Sequence, residues 1–433
     1  MNPSSKSPLQ CHDPEMFDLI EKEYTSRNNC LTLIASENAV PASVLEANGS
    51  ILTNGYFEGY PGARYYGGGH VIDEIESVVQ QRCLDAFGLL GSVWEANVQA
   101  LSGSAANFCI YSGVLKPGET ALGMKLTHGG HLTHGACTPS GVKLSNSSKF
   151  FTFVQYGVDQ VTGLIDYDEI ERLALEHQPK LIVVGASAYP RDFDYLRMRE
   201  ICDLLDPSTL LLADISHYAG LIATNLMNSP FEYCDLVMTT THKTLGGPRG
   251  AIIFSKGKTL SKKINASVFP GNQGGAHYNA IAAIGVAMRR VKTHDFYEYM
   301  NNVLRASEIL AGCLEKDNFN IVTGGTCTHM VLFTDTSGNM DANHYSEKAE
   351  KCNVIVNKNT IPGDKSALRP SGIRVGTACM IARGMQPHEM PLVAEILKEV
   401  HLSETEQEFE EIRKQVASLV ADYKYPRLII GPM

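Results

Sequence analysis

The chain has 433 residues, with 37 lysines and arginines against 47 acidic residues and a formal net charge of −10. This balance, without any basic run, argues against nucleic acid and anionic membrane surfaces as partners. No stretch approaches the roughly eighteen apolar residues of a membrane span, and the N-terminus shows neither a secretory signal nor an Arg-rich transit peptide. The 11 cysteines are scattered without a Cys-x-x-Cys pair, which favours a reducing compartment. We therefore expect a cytoplasmic protein, and its length favours two domains.

The predicted elements begin with an N-terminal arm, residues 1–45. Its first part is polar and contains prolines, which predicts an irregular lead. The spacing of Phe17, Ile20 and Tyr24 then predicts a helix.

Residues 46–290 alternate short apolar strands with helical patterns such as DYLRMREICDLL. This alternation predicts βαβ units and a mostly parallel sheet with helices on both faces, hence an α/β large domain. Residues 291–433 continue with a helical pattern, EYMNNVLRASEILAGCLEK, then a strand pattern, THMVLFTD, and more helix, which predicts a smaller α+β domain. The predicted strands of the large domain include KLIVVGA (180–186), TLLLAD (209–214), DLVMTTT (235–241) and GAIIFS (250–255).

A lysine stands just beyond one of these strands. DLVMTTT runs into the glycine- and proline-rich stretch THKTLGGPRG, which puts Lys243 at the C-terminal edge of the sheet, where open α/β sheets bind ligands. Asp214 ends TLLLAD and is expected at the same edge. Pyridoxal phosphate needs an amine for its Schiff base and a carboxylate that keeps its ring nitrogen protonated, so the pair suits this cofactor. Taken alone, Lys243 could be a surface charge or a phosphate contact, and Asp214 a helix cap or turn former.

Two further stretches offer parts of a site. The backbone N–H groups of residues 102–104, in LSGSAAN, could cradle a phosphate at a helix N-terminus, although an ordinary capped helix explains them equally well. In THGGHLTHG, His128, His131 and His134 recur at three-residue intervals. A metal site built on them would need a helix, which the Gly-Gly pair opposes. A histidine stacked on a cofactor ring and a plain loop histidine are the alternatives.

Three other segments also allow either a functional or a purely structural interpretation. The loop GYFEGYPGARYYGGG (55–69) has one central acid, Glu58, and its tyrosines either cover a core edge or line a site. FPGNQGGAH (269–277) is a second glycine loop that could approach a phosphate closely. Arg374 lies in an apolar strand pattern, RPSGIRVGT, where a buried guanidinium needs an anion. That anion is a substrate carboxylate or the acid of a structural salt bridge.

Together these stretches closely resemble the serine hydroxymethyltransferase family of fold-type-I pyridoxal-phosphate enzymes, in order and over nearly the whole chain. The resemblance implies a mostly parallel sheet of the seven-stranded type in the large domain. It also implies the reaction of L-serine with tetrahydrofolate, which gives glycine and 5,10-methylenetetrahydrofolate. The motifs that carry it are LIASEN (33–38), EGYPGARYYGG (58–68), SGSAAN (102–107), HGGHLTHG (128–135), ADISHYAGL (213–221), TTTHKTLGGPRG (239–250), FPGNQGG (269–275), VNKNTIP (356–362) and SGIRVGT (371–377).

The resemblance also implies roles for individual residues. Lys243 would form the Schiff base, Asp214 would pair with the pyridinium nitrogen, and a largely protonated Glu58 would act beside the serine hydroxyl. The catalytic set implied is Lys243, Glu58, Asp214, His131, Tyr66 and Thr240. The cofactor-binding set adds Ser102, Gly103, Ser104, Ser187, His217, His242, Tyr56, Gly275 and Arg249. The substrate and folate set comprises Ser36, Glu58, Tyr66, Arg374, Leu126, Gly130, Leu132 and Asn359, with residues 366–368 closing over the folate.

In the family pattern the loop with Tyr56, Glu58 and Tyr66 serves the active site of the neighbouring subunit. The resemblance therefore implies at least a homodimer with shared sites, and it leaves dimer and tetramer both open. The chain departs from the pattern at four positions without losing a catalytic group. These are His70 in place of an acid, Leu101 in place of a bacterial histidine, Ser216 in place of alanine and Asn272 in place of glycine.

Three other functions stay open at this point. A different fold-type-I enzyme, such as a folate-independent threonine aldolase, would share Lys243 and Asp214 but not the folate residues. A metal hydrolase would use the three histidines and leave Lys243 unexplained. An inactive family member acting as a scaffold should show decay at the catalytic positions, and none is seen.

Overall fold

The computed structural model describes residues 7–138, 140–338, 340–366 and 368–427. Many helices in these ranges begin at a side chain that accepts a hydrogen bond from the first turn, as Asp166 and Asp194 do. Such a cap satisfies an N–H group that has no partner within the helix. The helices are α1 (Pro8–His12), α2 (Pro14–Asn28), α3 (Ala42–Asn48), α4 (His70–Ala86), α5 (Gly103–Val114), α6 (Asn146–Phe150), α7 (Tyr167–His177), α8 (Tyr195–Asp203), α9 (Ala219–Ala223), α10 (Lys258–Ala266), α11 (Tyr278–Val291), α12 (His294–Lys316), α13 (Ala342–Lys351), α14 (Ala378–Ala382), α15 (Met390–Leu402) and α16 (Glu406–Leu419).

The strands form one large and one small sheet, together with two short pairs. They are β1 (Leu31–Thr32), β2 (Gly59–Tyr60), β3 (Ala63–Arg64), β4 (Trp94–Asn97), β5 (Thr120–Met124), β6 (Thr152–Tyr156), β7 (Leu181–Val184), β8 (Leu210–Asp214), β9 (Leu236–Thr240), β10 (Ala251–Lys256), β11 (Phe319–Ile321), β12 (Met330–Asp335), β13 (Val354–Ile355), β14 (Asn357–Asn359) and β15 (Gly372–Gly376).

The large sheet has seven strands in the order β4-β10-β9-β8-β7-β5-β6. Only β10 runs antiparallel to its neighbours. Every residue of β7 and β9 is buried, which explains why these strands are continuous apolar runs: a parallel sheet is covered on both faces. The predicted α/β fold with a mostly parallel seven-stranded sheet is confirmed.

A smaller antiparallel sheet, β11-β12-β15-β14, lies after the long helix α12. Its third strand, β15, is buried along its whole length and contains Arg374, which pairs across the sheet with Leu332 and Asn357. The N-terminal segment joins this region because β1 pairs in parallel with β13. The domain limits at 45/46 and 290/291 stay a prediction.

The N-terminus differs in one respect from the expected irregular lead. Pro8–His12 form a short helix, because Ser7 accepts a hydrogen bond from the Gln10 N–H group and Pro8 occupies the first turn, where its missing N–H costs nothing. The predicted helix that follows is present as α2. In the described part of the chain, no helix has the length and apolar character needed to cross a membrane.

Candidate active site

Lys243 and Asp214 lie at the same edge of the large sheet. Asp214 is the last residue of β8, β9 runs beside β8 in parallel, and Lys243 follows β9 by three residues. Their side chains are almost fully buried, with 9% of Lys243 and 6% of Asp214 exposed. Both line one cleft with about 250 Å³ of empty volume, together with Gly103, His131, Ala186, Ser187, Ser216, His217, Met238 and Thr240.

Asp214 is held by three donors. Its Oδ2 accepts hydrogen bonds from Asn107 Nδ2 at 2.9 Å and from His134 Nε2 at 3.1 Å, and its Oδ1 accepts one from the Ser216 N–H group at 3.1 Å. Burial opposes ionisation, but His134 and the other neighbours outweigh it and lower the pKa of Asp214 below its ordinary range. Asp214 is therefore a fixed negative charge at the base of the cleft.

Lys243 has an amine that loses its proton easily. Burial lowers the pKa of Lys243 to about 8, the charges of Arg374 and Arg249 add to this effect, and Asp214 opposes it. A sizeable fraction of neutral amine is thus present near neutral pH. The backbone carbonyl of Lys243 accepts a hydrogen bond from Asn38 Nδ2 at 2.7 Å, which connects this turn to the N-terminal segment.

Arg374 is a buried cation that has no acidic partner in the described part of the chain. Its exposed fraction is 6%, and its guanidinium donates to the Ser187 carbonyl and to Asn357 Oδ1. Its Nε has no hydrogen-bond partner among the described residues, and none of the salt bridges among them involves Arg374. Burial lowers the pKa of Arg374 to about 10. The open alternative of a structural salt bridge therefore finds no acid here, and the site can accept an anion from outside.

The expected phosphate cradle has open donors. Ser102 is the N-cap of α5, and its hydroxyl makes no capping hydrogen bond. Gly103 packs so closely on Thr240 that a Cβ atom there would lie 2.7 Å from Thr240 Cγ2. Nearby along the chain, His242 has a buried Nδ1 without a partner among the described residues. Burial, then Lys243 and Arg249, lower the pKa of His242 to about 4.

The structure explains why two glycines, Gly129 and Gly130, lie in the histidine segment. Gly129 has φ +99°, and its carbonyl accepts from the Ser187 and Ala188 N–H groups at 2.7 and 3.1 Å. At Gly130 a Cβ atom would lie 2.1 Å from the Met124 carbonyl oxygen, so only glycine fits. This turn brings His131 into the cleft.

The three histidines do not form one cluster. His128 Nδ1 accepts from the Val158 N–H group at 3.0 Å. Within the described ranges, the group whose ligand atoms lie within 4.8 Å of one another is instead His131, His134 and Asp214. Burial, then His134, lower the pKa of His131 to about 4, so the ring is neutral at physiological pH.

Four predicted site residues, Tyr56, Glu58, Tyr66 and Gly275, lie together outside the Lys243 cleft. A Cβ atom on Gly275 would lie 3.2 Å from the Tyr56 ring, and Tyr56 OH donates to Glu58 Oε1 at 3.4 Å. The rings of Tyr56 and Tyr66 meet edge to face at 6.0 Å, yet 63% and 52% of these residues remain exposed. None of the four lines the Lys243 cleft.

The remaining predicted residues lie around the site. Leu126 and Asn359 are half-buried, Leu132 and Ser104 are exposed, and Ala367 lies outside the described residues. Ser36, His242 and Arg249 line a second pocket, between the N-terminal segment and the turn after Lys243.

The sequence did not predict the roles of three groups that hold the predicted residues. Asn107 and His134 bind Asp214, and His329 contacts His217, with 3.3 Å between His217 Nδ1 and His329 Nε2. Asn107 and His134 were visible inside the quoted motifs, whereas nothing in the local pattern around His329 marks it.

Comparison with known proteins gives a consistent result. The family model described as serine hydroxymethyltransferase matches residues 9–397. A mitochondrial serine hydroxymethyltransferase of Schizosaccharomyces pombe is 44% identical over 432 residues, which cover 97% of this chain and 88% of the relative. The mitochondrial enzyme of Saccharomyces cerevisiae is 44% identical over 90% of this chain and 82% of its own. A cytosolic one of Candida albicans is 46% identical over 87% and 83%.

These relatives correct one expectation. The chain was expected to be cytoplasmic, because its N-terminus lacks the features of a signal or transit peptide. That prediction is wrong, since similar relatives of Schizosaccharomyces pombe, Saccharomyces cerevisiae and Kluyveromyces lactis are named mitochondrial, whereas the one of Candida albicans is named cytosolic. The reason is physical: the compartment is read from short sorting signals, whereas cysteine spacing and net charge reflect the folded body.

Proposed function

This chain belongs to the serine hydroxymethyltransferase family, and from that premise we propose that the cleft beside Lys243 is its active site. The reaction is the reversible transfer of the serine hydroxymethyl group to tetrahydrofolate, which gives glycine and 5,10-methylenetetrahydrofolate. The observation that carries the assignment is the pairing in one cleft of a buried amine, Lys243, with a buried, ionised carboxylate, Asp214.

The residues of the cleft fit pyridoxal phosphate. A ring nitrogen that must stay protonated suits the carboxylate of Asp214, which three donors keep ionised. A phosphate suits the N-terminus of α5, where Ser102 leaves its hydroxyl free, and the unpartnered His242. When bound covalently to an amine, this cofactor supplies an electron sink for the bond that breaks in the amino acid.

The chain's own groups bind and orient the amino acid. Arg374 offers its guanidinium to the substrate carboxylate, with Ser36 as a second contact. Because Arg374 is buried and no described acid pairs with it, the charge-assisted hydrogen bonds form without displacing a carboxylate of the chain. This fixes the carboxylate end and directs the side chain of serine toward the remaining groups.

Proton transfers fall to Lys243 and Glu58. Lys243 exchanges its proton near neutral pH, which its pKa of about 8 supports. Glu58 moves a proton at the hydroxymethyl oxygen of serine. Tyr66 and Thr240 would assist, and the cofactor ring would be held by His131, with Ser187 and His217 as further contacts. Leu126, Gly130, Leu132 and Asn359 form the tetrahydrofolate side.

Each site is shared between two copies of the chain. Glu58, Tyr56, Tyr66 and Gly275 do not line the Lys243 cleft of their own chain, and the two tyrosines are largely exposed. A second copy related by two-fold symmetry would receive this loop and return its own. The function therefore needs a homodimer at least.

Two experiments test the site and its sharing. Borohydride reduction of the protein purified with pyridoxal phosphate, followed by peptide mass spectrometry, should place the adduct on Lys243. An adduct on another lysine refutes the site. Activity must also depend on tetrahydrofolate, since a threonine aldolase would cleave its substrate without it.

Sharing is tested by mixing Lys243→Ala with Glu58→Ala. Each variant is inactive alone, but a mixed dimer has one intact site of two. With half the dimers mixed, two-fold symmetry predicts recovery of about a quarter of wild-type activity. The matched control pairs Lys243→Ala with Asp214→Asn, which lie in one cleft and should not complement. No recovery in the first mixture, with subunit exchange demonstrated by labelled subunits, means that Glu58 serves its own chain.

A further inference from the structure

His329 joins three distant parts of the chain. It lies immediately before β12 and is fully buried. Its Nε2 is 3.1 Å from the Ala35 carbonyl oxygen, in the N-terminal segment, and 3.3 Å from His217 Nδ1, in the loop after β8. The two imidazole rings lie nearly parallel, with 5.5 Å between their centres. The backbone of His329 is fixed as well, because its carbonyl accepts from the Thr377 N–H group at 3.0 Å.

These contacts determine where the protons are. A carbonyl oxygen can only accept, so His329 Nε2 carries a hydrogen. Burial, with Arg374 second, lowers the pKa of His329 to about 3, and burial lowers the pKa of His217 well below its ordinary range. Both rings are therefore neutral and have one N–H each. His329 Nδ1 is then bare, which agrees with its lack of any donor partner among the described residues.

The proton of His217 follows from that of His329. If His217 Nδ1 carried a hydrogen, two N–H groups would face each other at 3.3 Å. His217 Nδ1 must accept, and its single proton is on Nε2. His217 lines the cleft, and no described residue forms a hydrogen bond with its Nε2.

We propose that His329 is a positioning residue for hydroxymethyl transfer: its Nε2–H group, anchored on the Ala35 carbonyl, holds His217 in the tautomer that offers an N–H donor to the cleft. This inference rests on the proposed function, because the donor matters only if the cleft holds an anionic oxygen, such as the phenolic oxygen of the proposed cofactor. A bare nitrogen in its place would repel that oxygen. Through the Ala35 carbonyl, the packing of the N-terminal segment against His329 is also coupled to the tautomer of His217.

Three variants separate donation from packing. His329→Gln places an amide nitrogen the same number of bonds from the backbone as Nε2, so it can donate to both partners. His329→Phe keeps a flat ring but has no donor. His329→Asn stops one bond short and serves as the second donor-deficient variant where the Phe variant does not fold. The first measurement is ¹⁵N NMR of the full-length protein as purified, with labelled histidine, and with the His217 signals identified by their loss in His217→Gln.

We expect a bare Nδ1 and a protonated Nε2 at His217 in the wild type and in His329→Gln. The Phe and Asn variants should populate the other tautomer, change the absorption spectrum of the pyridoxal-phosphate-loaded protein at fixed pH, and lose roughly tenfold in kcat, the effect of about one hydrogen bond. The KM for serine should stay within about twofold, because Arg374 governs it.

A protonated Nδ1 at His217 in the wild type would overturn the proposal. So would equal spectra and equal kcat in the Gln and Phe variants, since packing alone would then account for His329. The NMR result does not depend on the reaction. A borohydride adduct away from Lys243 together with the expected tautomers would refute the proposed function and leave the proton assignment standing.

Discussion

Two buried arginines that differ in how completely they are hydrogen-bonded allow a sharp test of the substrate site. Arg374 and Arg383 are each 6% exposed. Arg383 donates from all three nitrogens to backbone carbonyls of Tyr423, Cys30 and Asn28, and the Tyr425 ring lies 4.6 Å from its guanidinium carbon. Arg374 has two acceptors and a free Nε. Replacing each by leucine should therefore have different consequences for stability.

The magnitudes follow from what each change leaves behind. Arg374→Leu removes a buried charge that no acid compensates, which stabilises the folded protein. It also leaves two acceptors without a donor, at a cost of about 1 kcal/mol or more each, and the two effects offset each other. The unfolding free energy of the cofactor-free protein should change by less than about 1.5 kcal/mol. Arg383→Leu also removes a buried charge without an acidic partner among the described residues, but it leaves three carbonyls without donors and loses the contact with the Tyr425 ring, so it should cost about 1 kcal/mol or more beyond Arg374→Leu. Substrate binding should show the reverse order. Loss of two charge-assisted hydrogen bonds, about 3 kcal/mol, raises the KM for serine roughly 150-fold in Arg374→Leu.

The assay is denaturant unfolding of both variants and the wild type under one set of conditions, combined with serine saturation curves. Arg374→Lys is a third variant, which keeps a charge but loses the two-pronged geometry, so its KM should lie between the other values. Arg383→Leu should keep a serine KM close to wild type wherever it folds. If Arg374→Leu destabilised the protein as much as Arg383→Leu and left the KM unchanged, Arg374 would be a structural residue.

Three further predictions concern the cleft. Asp214→Asn should lower kcat more than about tenfold with little loss of cofactor measured by absorbance, because an amide does not hold the ring proton; a smaller loss contradicts that role. Capture of pyridoxal phosphate by cofactor-free protein should accelerate as pH rises through about 8, because only the neutral Lys243 amine attacks an aldehyde; stopped-flow rates still rising toward pH 10.5, the ordinary lysine value, would exclude the lowered pKa. Ser216→Ala should cost about 1 kcal/mol in denaturant unfolding, because the Thr240 N–H group loses its acceptor, Ser216 Oγ at 3.1 Å; an unchanged stability would mean that water replaces the hydroxyl.

The position of Lys243 and Asp214 at one edge of the sheet could be predicted from the sequence, because neighbouring parallel strands end on the same side. TLLLAD and DLVMTTT are both apolar runs that end in polar residues, and the carboxyl ends of neighbouring parallel strands meet at one edge. Lys243 and Asp214 could therefore be brought together without knowing any side-chain position. The glycines of THGGHLTHG could likewise be recognised as opposing a helix, and Gly130 does lie against the Met124 carbonyl.

The supporting residues were not accessible, because their partners are far away in sequence. His329 lies 112 residues from His217 and 294 from Ala35, and its role depends on how the small sheet and the N-terminal segment meet the large one. No periodicity encodes such a contact. Within the described residues, the expected irregular N-terminal segment was mispredicted at Pro8–His12 for the opposite reason: Ser7 and Pro8 are a local helix start signal that composition alone does not reveal.

The buried charges in and beside the cleft couple ligand binding to the free energy of unfolding. Lys243 and Arg374 are two buried cations, and Asp214 is the one buried carboxylate that lines the cleft with Lys243. Burial lowers the pKa of Lys243, and the charge of Arg374 adds to this effect because two nearby cations repel each other. A phosphate and a substrate carboxylate would relieve this excess positive charge, so each ligand binds the folded chain and has no comparable site in the unfolded one. By linkage, a ligand at a hundred times its dissociation constant adds about 2.7 kcal/mol to the free energy of unfolding. Each anionic ligand would therefore stabilise the folded chain by offsetting the excess positive charge around Lys243 and Arg374.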